Sequence, residues 1–318
     1  MRILLTGSSG FVGRRLKAAL TASGHEVVVL RRGGPAGDGV YVAPADHSEI
    51  MTTPDWPAGI DAVGHLAAAN PERGTANAAD IEALMAVNRD GTAALARRAA
   101  AEGVRRMVCV STANVHAASS GPVSETSPIA PQSAYARSKH AGEVAFWEAL
   151  AESSTSGCVL RPAPVFGVGG RGGIAALARL ARTQLPLPLG GFSALRSLVA
   201  VDDLVRAIML SLDGDEAAGE TFLVAGDPPM STAGIIAALR RGLGRSPRLI
   251  PVPPALARRL ASLAGREAMV ATLDTPFVVD AGHLRETLGW APARTTHDAL
   301  AALSAETPTN RTAEGRTD

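Results

Sequence analysis

The chemistry that this sequence can carry is clearest where its two scarcest reactive residue types meet. Among 318 residues the chain has two tyrosines, one at 135, and two lysines, one at 139. A spacing of four places Tyr135 and Lys139 on one face of a helix, and such a pairing arises by chance about once in eighty times. The ordinary pKa of tyrosine is about 10, and a neighbouring ammonium group favours its ionised form. The pair therefore predicts a general base that takes a proton from a hydroxyl group while hydride leaves the carbon that bears it.

A second hydroxyl group is available where the fifth predicted strand ends. Ser111 and Thr112 follow an apolar run at residues 107–110. A hydroxyl donor at this point would complete a site with Tyr135 and Lys139. Ser and Thr are also common where strands end, so the residues alone leave that structural interpretation open.

A glycine-rich segment joins the first predicted strand to the first predicted helix. Gly7, Gly10 and Gly13 have a G-x-x-G-x-x-G spacing. The first permits a tight turn, the second lets backbone amides approach a pyrophosphate, and the third lets the helix pack close to the strand. The helix N-terminus adds unpaired N–H groups and the positive end of its dipole. The segment predicts a nicotinamide dinucleotide site, and its place in a first βαβ unit favours this over a structural turn.

The residues at the end of the second strand bear on which dinucleotide binds. An acidic residue there would bond the ribose hydroxyls of NAD, whereas an arginine would pair with the 2′-phosphate of NADP. Arg31 and Arg32 stand at this position, so NADP is favoured over NAD. Two solvated surface arginines are the alternative. Asp46, after the third strand, could contact the adenine or could be a turn residue.

Short apolar runs alternate with amphipathic segments of helical length, which is typical of a parallel sheet with helices on both faces. Strands are predicted at residues 2–6, 26–30, 40–42, 62–67, 106–111, 158–161, 198–201 and 221–225. Helices are predicted at residues 11–23, 79–102, 135–153, 203–212, 232–243, 255–264 and 281–288. The expected fold class is α/β, a doubly wound parallel Rossmann sheet with a smaller, partly interleaved C-terminal substrate domain.

Domain boundaries follow from a change in composition after Arg161, where glycine-rich and irregular stretches begin. We expect a dinucleotide-binding domain at residues 1–166 and about 192–227. A substrate-binding domain is expected at about 167–191 and 228–305. Residues 306–318 are polar and predict a disordered tail.

The composition argues against several classes of function. A formal net charge of +1 provides no overall field for binding nucleic acid or a membrane surface. No apolar run approaches the roughly 20 residues that span a bilayer, and the glycine-rich segment comes too early to leave room for a cleavable leader.

Cys109 and Cys158 lie in apolar runs and predict buried free thiols in a reducing compartment, so the protein is expected in the cytoplasm. No metal site is predicted, because Asp202 and Asp203 precede a helix and are interpreted as its caps.

Several motifs follow one another in a recognisable order. They are the glycine segment, HLAAA at 65–69, NRDGT at 88–92, VSTANV at 110–115, YARSK at 135–139, LRP at 160–162 with VFG at 165–167, and LVAVDD at 198–203. With these motifs the chain resembles an extended short-chain dehydrogenase/reductase of the nucleotide-sugar epimerase and dehydratase group. The resemblance covers most of the chain, and an ordered set is far more specific than any one motif.

The resemblance implies roles for individual residues. Thr112 would be the active-site hydroxyl and contact substrate, Tyr135 would be the catalytic base, and Lys139 would also hold the nicotinamide ribose. Arg196 would bind the diphosphate of a nucleotide-linked substrate, a task that suits a planar guanidinium, with a surface arginine as the alternative. Asn88 would lie near the cofactor in a supporting or a chemical role. Further cofactor contacts are implied for Ser9, Phe11, Val12, Leu66, Ala67, Ala68, Val110, Ser111 and Pro162.

The chain also departs from this group's pattern. Pro164 stands where a substrate-binding Asn is frequent, and a second diphosphate-binding arginine has no clear counterpart. His116 replaces a usual tyrosine and is open to interpretation as a gate residue or as a packed histidine. Binding of a diphosphate by the substrate site is therefore less well supported by the sequence than binding of the dinucleotide cofactor.

The function that the resemblance implies is a NAD(P)-dependent nucleotide-sugar epimerase, which transiently oxidises C4 of a UDP-linked hexose or N-acetylhexosamine. The alternative is an NADPH-dependent reductase of a 4-keto-sugar or another ketone, which Arg31 and Arg32 favour. A dehydratase is less expected, because Ala113 and Asn114 stand where Asp-Glu is usual. A dinucleotide sensor without catalysis is a third class, and a homodimer through the helices at 79–102 and 135–153 is left open.

Overall fold

Seven strands form the central sheet in this computed structural model. They are β1 (Arg2–Thr6), β2 (Glu26–Arg32), β3 (Val40–Ala43), β4 (Ala62–His65), β5 (Arg106–Val110), β6 (Ser156–Pro162) and β10 (Thr221–Val224). Every neighbouring pair is parallel, and the order across the sheet is β10-β6-β5-β4-β1-β2-β3. The strand order therefore reverses beside β1, the kind of position at which open α/β sheets bind ligands. Four shorter strands are β7 (Val165–Phe166), β8 (Leu195–Arg196), β9 (Val199–Ala200) and β11 (Met230–Ser231).

Helices pack on both faces of this sheet. Within the residues that the structure describes, the α-helices are α1 (Phe11–Ala22), α2 (Ile81–Met85), α3 (Gly91–Ala101), α4 (Ala134–Leu150), α5 (Gly173–Ala181), α6 (Val201–Asp213), α7 (Thr232–Gly242), α8 (Pro254–Leu263), α9 (Gly282–Leu288) and α10 (Thr296–Glu306). Ile3 and Leu5 pack with α1 and α6 on one face, whereas Leu4 and Val28 pack with α3 and α4 on the other. Both faces demand apolar side chains, because neighbouring strand residues point to opposite faces. The predicted doubly wound α/β fold is confirmed.

The structure describes residues 1–33, 36–37, 39–44, 47–51, 56–71, 78–118, 121–263, 270 and 273–306. Asp46 and the polar tail predicted after Glu306 lie outside these residues. In the described part of the chain, the helices α5 and α10 and the strands β7, β8 and β11 were not predicted from the sequence pattern. The predicted strand at 198–201 is shorter than expected, because Val201 already begins α6.

The chain divides into two compact units. The first comprises Met1–Val165, Ser197–Gly226 and Phe277–Ala293, and the second comprises Phe166–Arg196, Asp227–Pro276 and Arg294–Asp318. We expected residues 277–293 in the C-terminal domain, but they belong to the first unit. Trp290, 1% exposed, lies in the core of that unit, and its indole N–H donates to the carbonyl O of Asp203 at 3.1 Å.

The prediction that Asp202 and Asp203 cap a helix is wrong. Both lie in the first turn of α6, whose capping residue Ala200 makes no side-chain hydrogen bond to it. Asp203 Oδ1 instead accepts from the backbone N–H of Ala293 at 2.8 Å. Asp202 pairs with Arg15 on α1 at 2.9 Å. The buried carboxylate of Asp203 therefore joins α6 to a segment about 90 residues later, whereas the exposed pair of Asp202 with Arg15 adds little stability.

The second unit has its own helical packing. α7 packs against α5 and α10. Arg240, at the end of α7, is 1% exposed and donates hydrogen bonds to the carbonyl groups of Ala181, Thr183, Leu185 and Pro247. A buried guanidinium needs many hydrogen-bond acceptors. Arg240 therefore fixes the irregular segments that follow α5 and α7, for which the sequence predicted no helix or strand.

The predicted helix at 79–102 is not one regular helix. α2 ends at Met85, residues 86–90 form a π-helical turn, and α3 begins at Gly91. A π turn adds a residue to one helical turn and changes which side chains face inward. Asn88 lies in this turn and is 1% exposed.

The close approach of α4 to this turn gives a stability prediction. A Cβ at Gly142 would lie 2.2 Å from the carbonyl O of Asn88. We expect Gly142→Ala to lower the free energy of unfolding by about 1–3 kcal/mol, as overpacking substitutions do, although alanine favours helices. Gly173→Ala in α5 is the matched control, because nothing lies within 4 Å of its Cβ position. Urea unfolding measures both, and equal loss of stability in the two variants would contradict the close packing.

Candidate active site

The carboxyl ends of neighbouring strands meet at one edge of the sheet. Thr6 of β1 lies in register with Leu30 of β2 and with His65 of β4. Val110 of β5 lies in register with Leu160 of β6. Parallel pairing therefore brings together the predicted segments that follow these positions: the glycine segment, Arg31 and Arg32, residues 66–68, and Ser111 with Thr112.

The glycine segment is packed so tightly that side chains would not fit. Gly7 has a φ of +70°, and a Cβ there would lie 2.7 Å from the backbone N of Ala67. A Cβ at Gly13 would lie 2.1 Å from the carbonyl O of Gly7. α1 begins after Gly10 with no side-chain cap and no acidic residue in its first turn. The turn thus offers backbone N–H groups at a helix N-terminus, which fits the pyrophosphate of a dinucleotide.

A buried hydrogen-bond chain holds the loop after β4 beside the glycine segment. Thr6 Oγ1 accepts from the backbone N–H groups of Leu66 at 3.2 Å and Ala67 at 3.1 Å. The same oxygen lies 2.8 Å from His65 Nδ1, and His65 Nε2 lies 3.0 Å from Thr92 Oγ1. The Thr92 hydroxyl donates to a carbonyl one turn earlier, so His65 carries its proton on Nε2 and accepts from Thr6 on Nδ1. Thr6 and Thr92 were not predicted as part of the site.

The side chain of Asn88 links this loop to α4. Its Oδ1 accepts from the backbone N–H of Ala69 at 2.8 Å, and its Nδ2 donates to the carbonyl O of Ala69 at 3.0 Å and to Ser138 Oγ at 2.8 Å. Ser138 Oγ in turn donates to the carbonyl O of Tyr135 at 2.9 Å. Because each polar atom of the amide is bound within the protein, the geometry favours the supporting role for Asn88.

Tyr135 and Lys139 lie in the first two turns of α4. Ser133 fixes the start of this helix by accepting from the backbone N–H of Ala136 at 3.1 Å. Lys139 is 3% exposed and Tyr135 is partly buried. Burial raises the pKa of Tyr135 to about 12. The phenol is therefore a poor base by itself and needs positive charge beside it before it ionises.

Thr112 lies at the start of a short 3-10 turn, Ala113–Val115, against which α4 packs. Its Oγ1 accepts from the backbone N–H and the side-chain Nδ2 of Asn114, each at 3.2 Å. These two bonds use the oxygen lone pairs and leave the O–H as a donor. Thr112 is 6% exposed, so its hydroxyl has a fixed surrounding suited to a reacting oxygen.

Arg161, Glu143 and His116 form a buried cluster of charged and polar side chains. The sequence analysis named His116 and included Arg161 in a motif, but it did not identify Glu143. Arg161 Nη2 donates to Glu143 Oε2 at 2.6 Å, and Arg161 Nη1 lies 3.1 Å from His116 Nε2. Burial opposes ionisation of Glu143, but the hydrogen bonds and the charge of Arg161 lower its pKa. Burial and the Arg161 charge lower the pKa of His116. His116, 3% exposed, is thus a packed residue and not a gate. Glu143 follows Tyr135 by eight residues on a helix, a weak signal that could have found it.

The remaining predicted residues are placed as follows. Arg31 and Arg32 are the last, exposed residues of β2. Arg196 belongs to β8, which pairs with Met230 of β11 in the second unit. Asp46 lies outside the described residues. Ser9, Phe11 and Val12 lie at the turn into α1, Ala68 follows β4, and Val110 and Pro162 end β5 and β6.

Both cysteines are buried and unpaired, as predicted. Burial raises the pKa of Cys109 to about 11 and that of Cys158 to about 12, which keeps both thiols protonated at neutral pH. The described residues contain no group of three or more His, Cys, Asp or Glu that could hold a metal ion. No helix in the described part is long and apolar enough to cross a membrane.

Comparison with protein families decides the broader identity. The NAD dependent epimerase/dehydratase family matches residues 3–225. The chain belongs to this family. Its members are epimerases, dehydratases and reductases, so the prediction of an enzyme with a NAD(P)-binding Rossmann fold is confirmed.

Individual relatives in the family act on different substrates. The chain is similar to a UDP-glucose 4-epimerase of Vibrio cholerae, with 31% identity over 305 residues, 93% of this chain and 92% of that protein. It is also similar to a 3-diazoavenalumate denitrifying reductase of a Streptomyces species, with 34% identity over 309 residues, 92% of this chain and 96% of that protein. Among solved structures, MoeE5 in complex with UDP-glucose and NAD has the same fold, with a TM-score of 0.75 and 23% identity over 96% of this chain and 97% of that one.

The buried phenol gives a prediction about ionisation. In a Tyr41→Phe variant Tyr135 is the only tyrosine, and its pKa of about 12 should keep it protonated in the absence of dinucleotide. We expect only about a tenth of the full phenolate absorbance by about pH 11, one unit above the ordinary value. Circular dichroism at that pH checks that the variant is folded. A folded variant with a phenolate midpoint at or below about 10 would contradict the desolvation of Tyr135.

Proposed function

We propose that this protein is a NAD(P)-dependent nucleotide-sugar epimerase that transiently oxidises C4 of a UDP-linked hexose or N-acetylhexosamine. One observation carries the proposal: Tyr135, whose phenol is desolvated, lies one helical turn from the buried Lys139, and Asn88 anchors the backbone between them through Ser138. The similarity to a UDP-glucose 4-epimerase along nearly the whole chain supports the sugar substrate.

The chain's own residues have distinct tasks in this reaction. The dinucleotide, when bound, accepts hydride from a carbinol carbon and can return it. The glycine segment and the N-terminus of α1 would hold its pyrophosphate, and Lys139 would hold its nicotinamide ribose. Tyr135 takes the proton of the C4 hydroxyl, and Thr112 donates a hydrogen bond to the same oxygen. Arg196 would bind the substrate diphosphate.

The pKa of Tyr135 sets the size of the electrostatic task. Bringing it from about 12 to the range 7–9 requires on the order of 4–7 kcal/mol of differential stabilisation. The buried ammonium group of Lys139 and the positive ring of an oxidised nicotinamide would together supply energies of this order if the bound cofactor excludes water. Lys139 is therefore as necessary to the proposal as Tyr135.

The charge of the second unit supports an anionic substrate. That unit contains fourteen arginines and seven acidic residues, although the whole chain has a net charge of only +1. Between residues 166 and 196 there are four arginines and no acidic residue. A basic unit concentrates anions near it and favours a substrate such as a nucleoside diphosphate sugar.

A second candidate function is an NADPH-dependent reductase of a 4-keto-sugar or another ketone. It is favoured by Arg31 and Arg32, which end β2 as exposed residues directly beside the turn after β1. A reductase consumes a reduced cofactor and gains from the NADPH pool, whereas an epimerase regenerates its own. Tyr135 would then deliver the proton.

The proposed epimerase makes a direct prediction about Tyr135. Tyr135→Phe should lower turnover of UDP-glucose or UDP-N-acetylglucosamine by a factor of about 100 or more, while dinucleotide binding changes little. Tyr41→Phe is the matched control and should keep full activity. Product formed without net consumption of NADPH identifies an epimerase, and stoichiometric consumption identifies the reductase. If no nucleotide sugar reacts or binds, the substrate assignment is wrong.

The two arginines at the end of β2 predict a preference for NADP. An Arg31→Ala/Arg32→Ala variant should bind NADP at least about tenfold more weakly and leave NAD affinity within about twofold, because an arginine at this position pairs with the 2′-phosphate that NAD lacks. Fluorescence titration with both reduced dinucleotides measures this. Arg97→Ala, an exposed arginine of α3, controls for loss of surface charge. An equal change for the two dinucleotides would leave Arg31 and Arg32 as solvated surface residues.

A further inference from the structure

The segments that carry the two candidate hydroxyl groups meet at His116. Thr112 starts the 3-10 turn that ends one residue before His116. The backbone N–H of Ala130 donates to the carbonyl O of Val115 at 2.9 Å, and His116 forms an antiparallel bridge with Ile129. Five residues after Ala130 the chain reaches Tyr135. His116 therefore lies where the Thr112 turn and the segment leading into α4 are joined.

The two ring nitrogens of His116 have different tasks. Arg161 Nη1 can only donate, so the His116 Nε2 at 3.1 Å from it must accept. The proton of the neutral ring then lies on Nδ1, which donates to the carbonyl O of Pro128 at 3.2 Å. Burial and the neighbouring guanidinium lower the pKa of His116, which is consistent with a neutral ring.

Arg161 connects His116 to the helix that carries the catalytic pair. Its Nε donates to both carboxylate oxygens of Glu143, at 3.2 and 3.1 Å, and its Nη2 donates to Oε2 at 2.6 Å. Glu143 is 3% exposed and lies one turn after Lys139 and two turns after Tyr135 on α4. A continuous series of contacts therefore runs from the Thr112 turn through His116, Arg161 and Glu143 to α4.

We propose that His116 is a positioning residue for the reaction: by accepting from Arg161 on Nε2, it locks the turn that carries Thr112 to the ion pair that anchors α4. The same bond keeps the guanidinium on Glu143. The Glu143 carboxylate is then neutralised by Arg161 and does not compete with Tyr135 for the charge of Lys139. The inference rests on the proposed function only in taking Tyr135 as the base.

Two amide substitutions separate the tasks of the ring nitrogens. The amide of Gln reaches the place of Nε2, and that of Asn reaches the place of Nδ1. His116→Gln keeps an acceptor for Arg161, whereas His116→Asn keeps a donor for Pro128 and loses Arg161. His116→Leu removes both. His140→Leu is the matched control: His140 is a second histidine near Glu143, but its Nδ1 lies 3.8 Å from Glu143 Oε2, beyond hydrogen-bond distance.

The readout is the phenolate midpoint of Tyr135, measured by absorbance in the Tyr41→Phe background with saturating NADP⁺ or NAD⁺. We expect His116→Asn and His116→Leu to raise this midpoint by about half a pH unit or more, with dinucleotide affinity within about twofold. His116→Gln and His140→Leu should keep the midpoint of the parent. A role limited to packing would lower the melting temperature and leave the midpoint unchanged.

The outcomes discriminate this inference from the proposed function. Equal midpoints for the Asn and Gln variants, or an equal shift for His140→Leu, would overturn the positioning role. If His116→Leu does not fold, the comparison of Asn with Gln still decides. Failure of every nucleotide sugar to react would overturn the substrate proposal but would leave the midpoint measurements intact, since they need no substrate.

Discussion

The placement of a partly buried tyrosine one helical turn before a buried lysine is the constraint on which the rest of this structure depends. Burial that raises the pKa of Tyr135 to about 12 also removes the water that would screen a nearby charge. The phenol can therefore become a base only if a cation stays close to it. That requirement explains why the start of α4 is fixed by a cap at Ser133 and by the hydrogen bonds from Asn88 to Ser138.

The fold supplies this geometry through backbone packing more than through charge. α4 lies against the π turn at a distance that only a glycine at 142 permits. The π turn in turn directs Asn88 toward both α4 and the loop after β4. Gly7 and Gly13 permit a similar close approach at the start of β1 and α1. The positions of Tyr135, Lys139 and the glycine segment thus depend on close contacts that an added Cβ would disrupt.

Much of the fold and part of the candidate site could be predicted from the sequence, because their signals are local. A spacing of four on a helix, a glycine segment between a strand and a helix, and apolar runs of strand length depend on neighbours in sequence. The π turn has no characteristic hydrophobic period in the sequence. A single regular helix was therefore predicted at 79–102, and the burial of Asn88 was not foreseen. Glu143 and Arg161 are 18 residues apart, and Arg161 and His116 are 45 apart. Trp290 likewise belongs to the first unit because it packs against residues far from it in sequence. The same long-range packing brings Ala293 to Asp203, which binds it and does not cap α6.

The measurement that tests the account most directly is the pH dependence of the first turnover in a Lys139→Met variant. Methionine keeps an apolar stem of similar length and removes the ammonium group, so saturating dinucleotide is used to offset any loss of cofactor binding. Reduction of bound dinucleotide after mixing with UDP-glucose gives the rate at each pH. The account predicts that the rate rises with pH through one ionisation in the parent protein, and that the midpoint moves up by about one unit or more in Lys139→Met. An unchanged midpoint in that variant would contradict the claim that Lys139 makes Tyr135 a base.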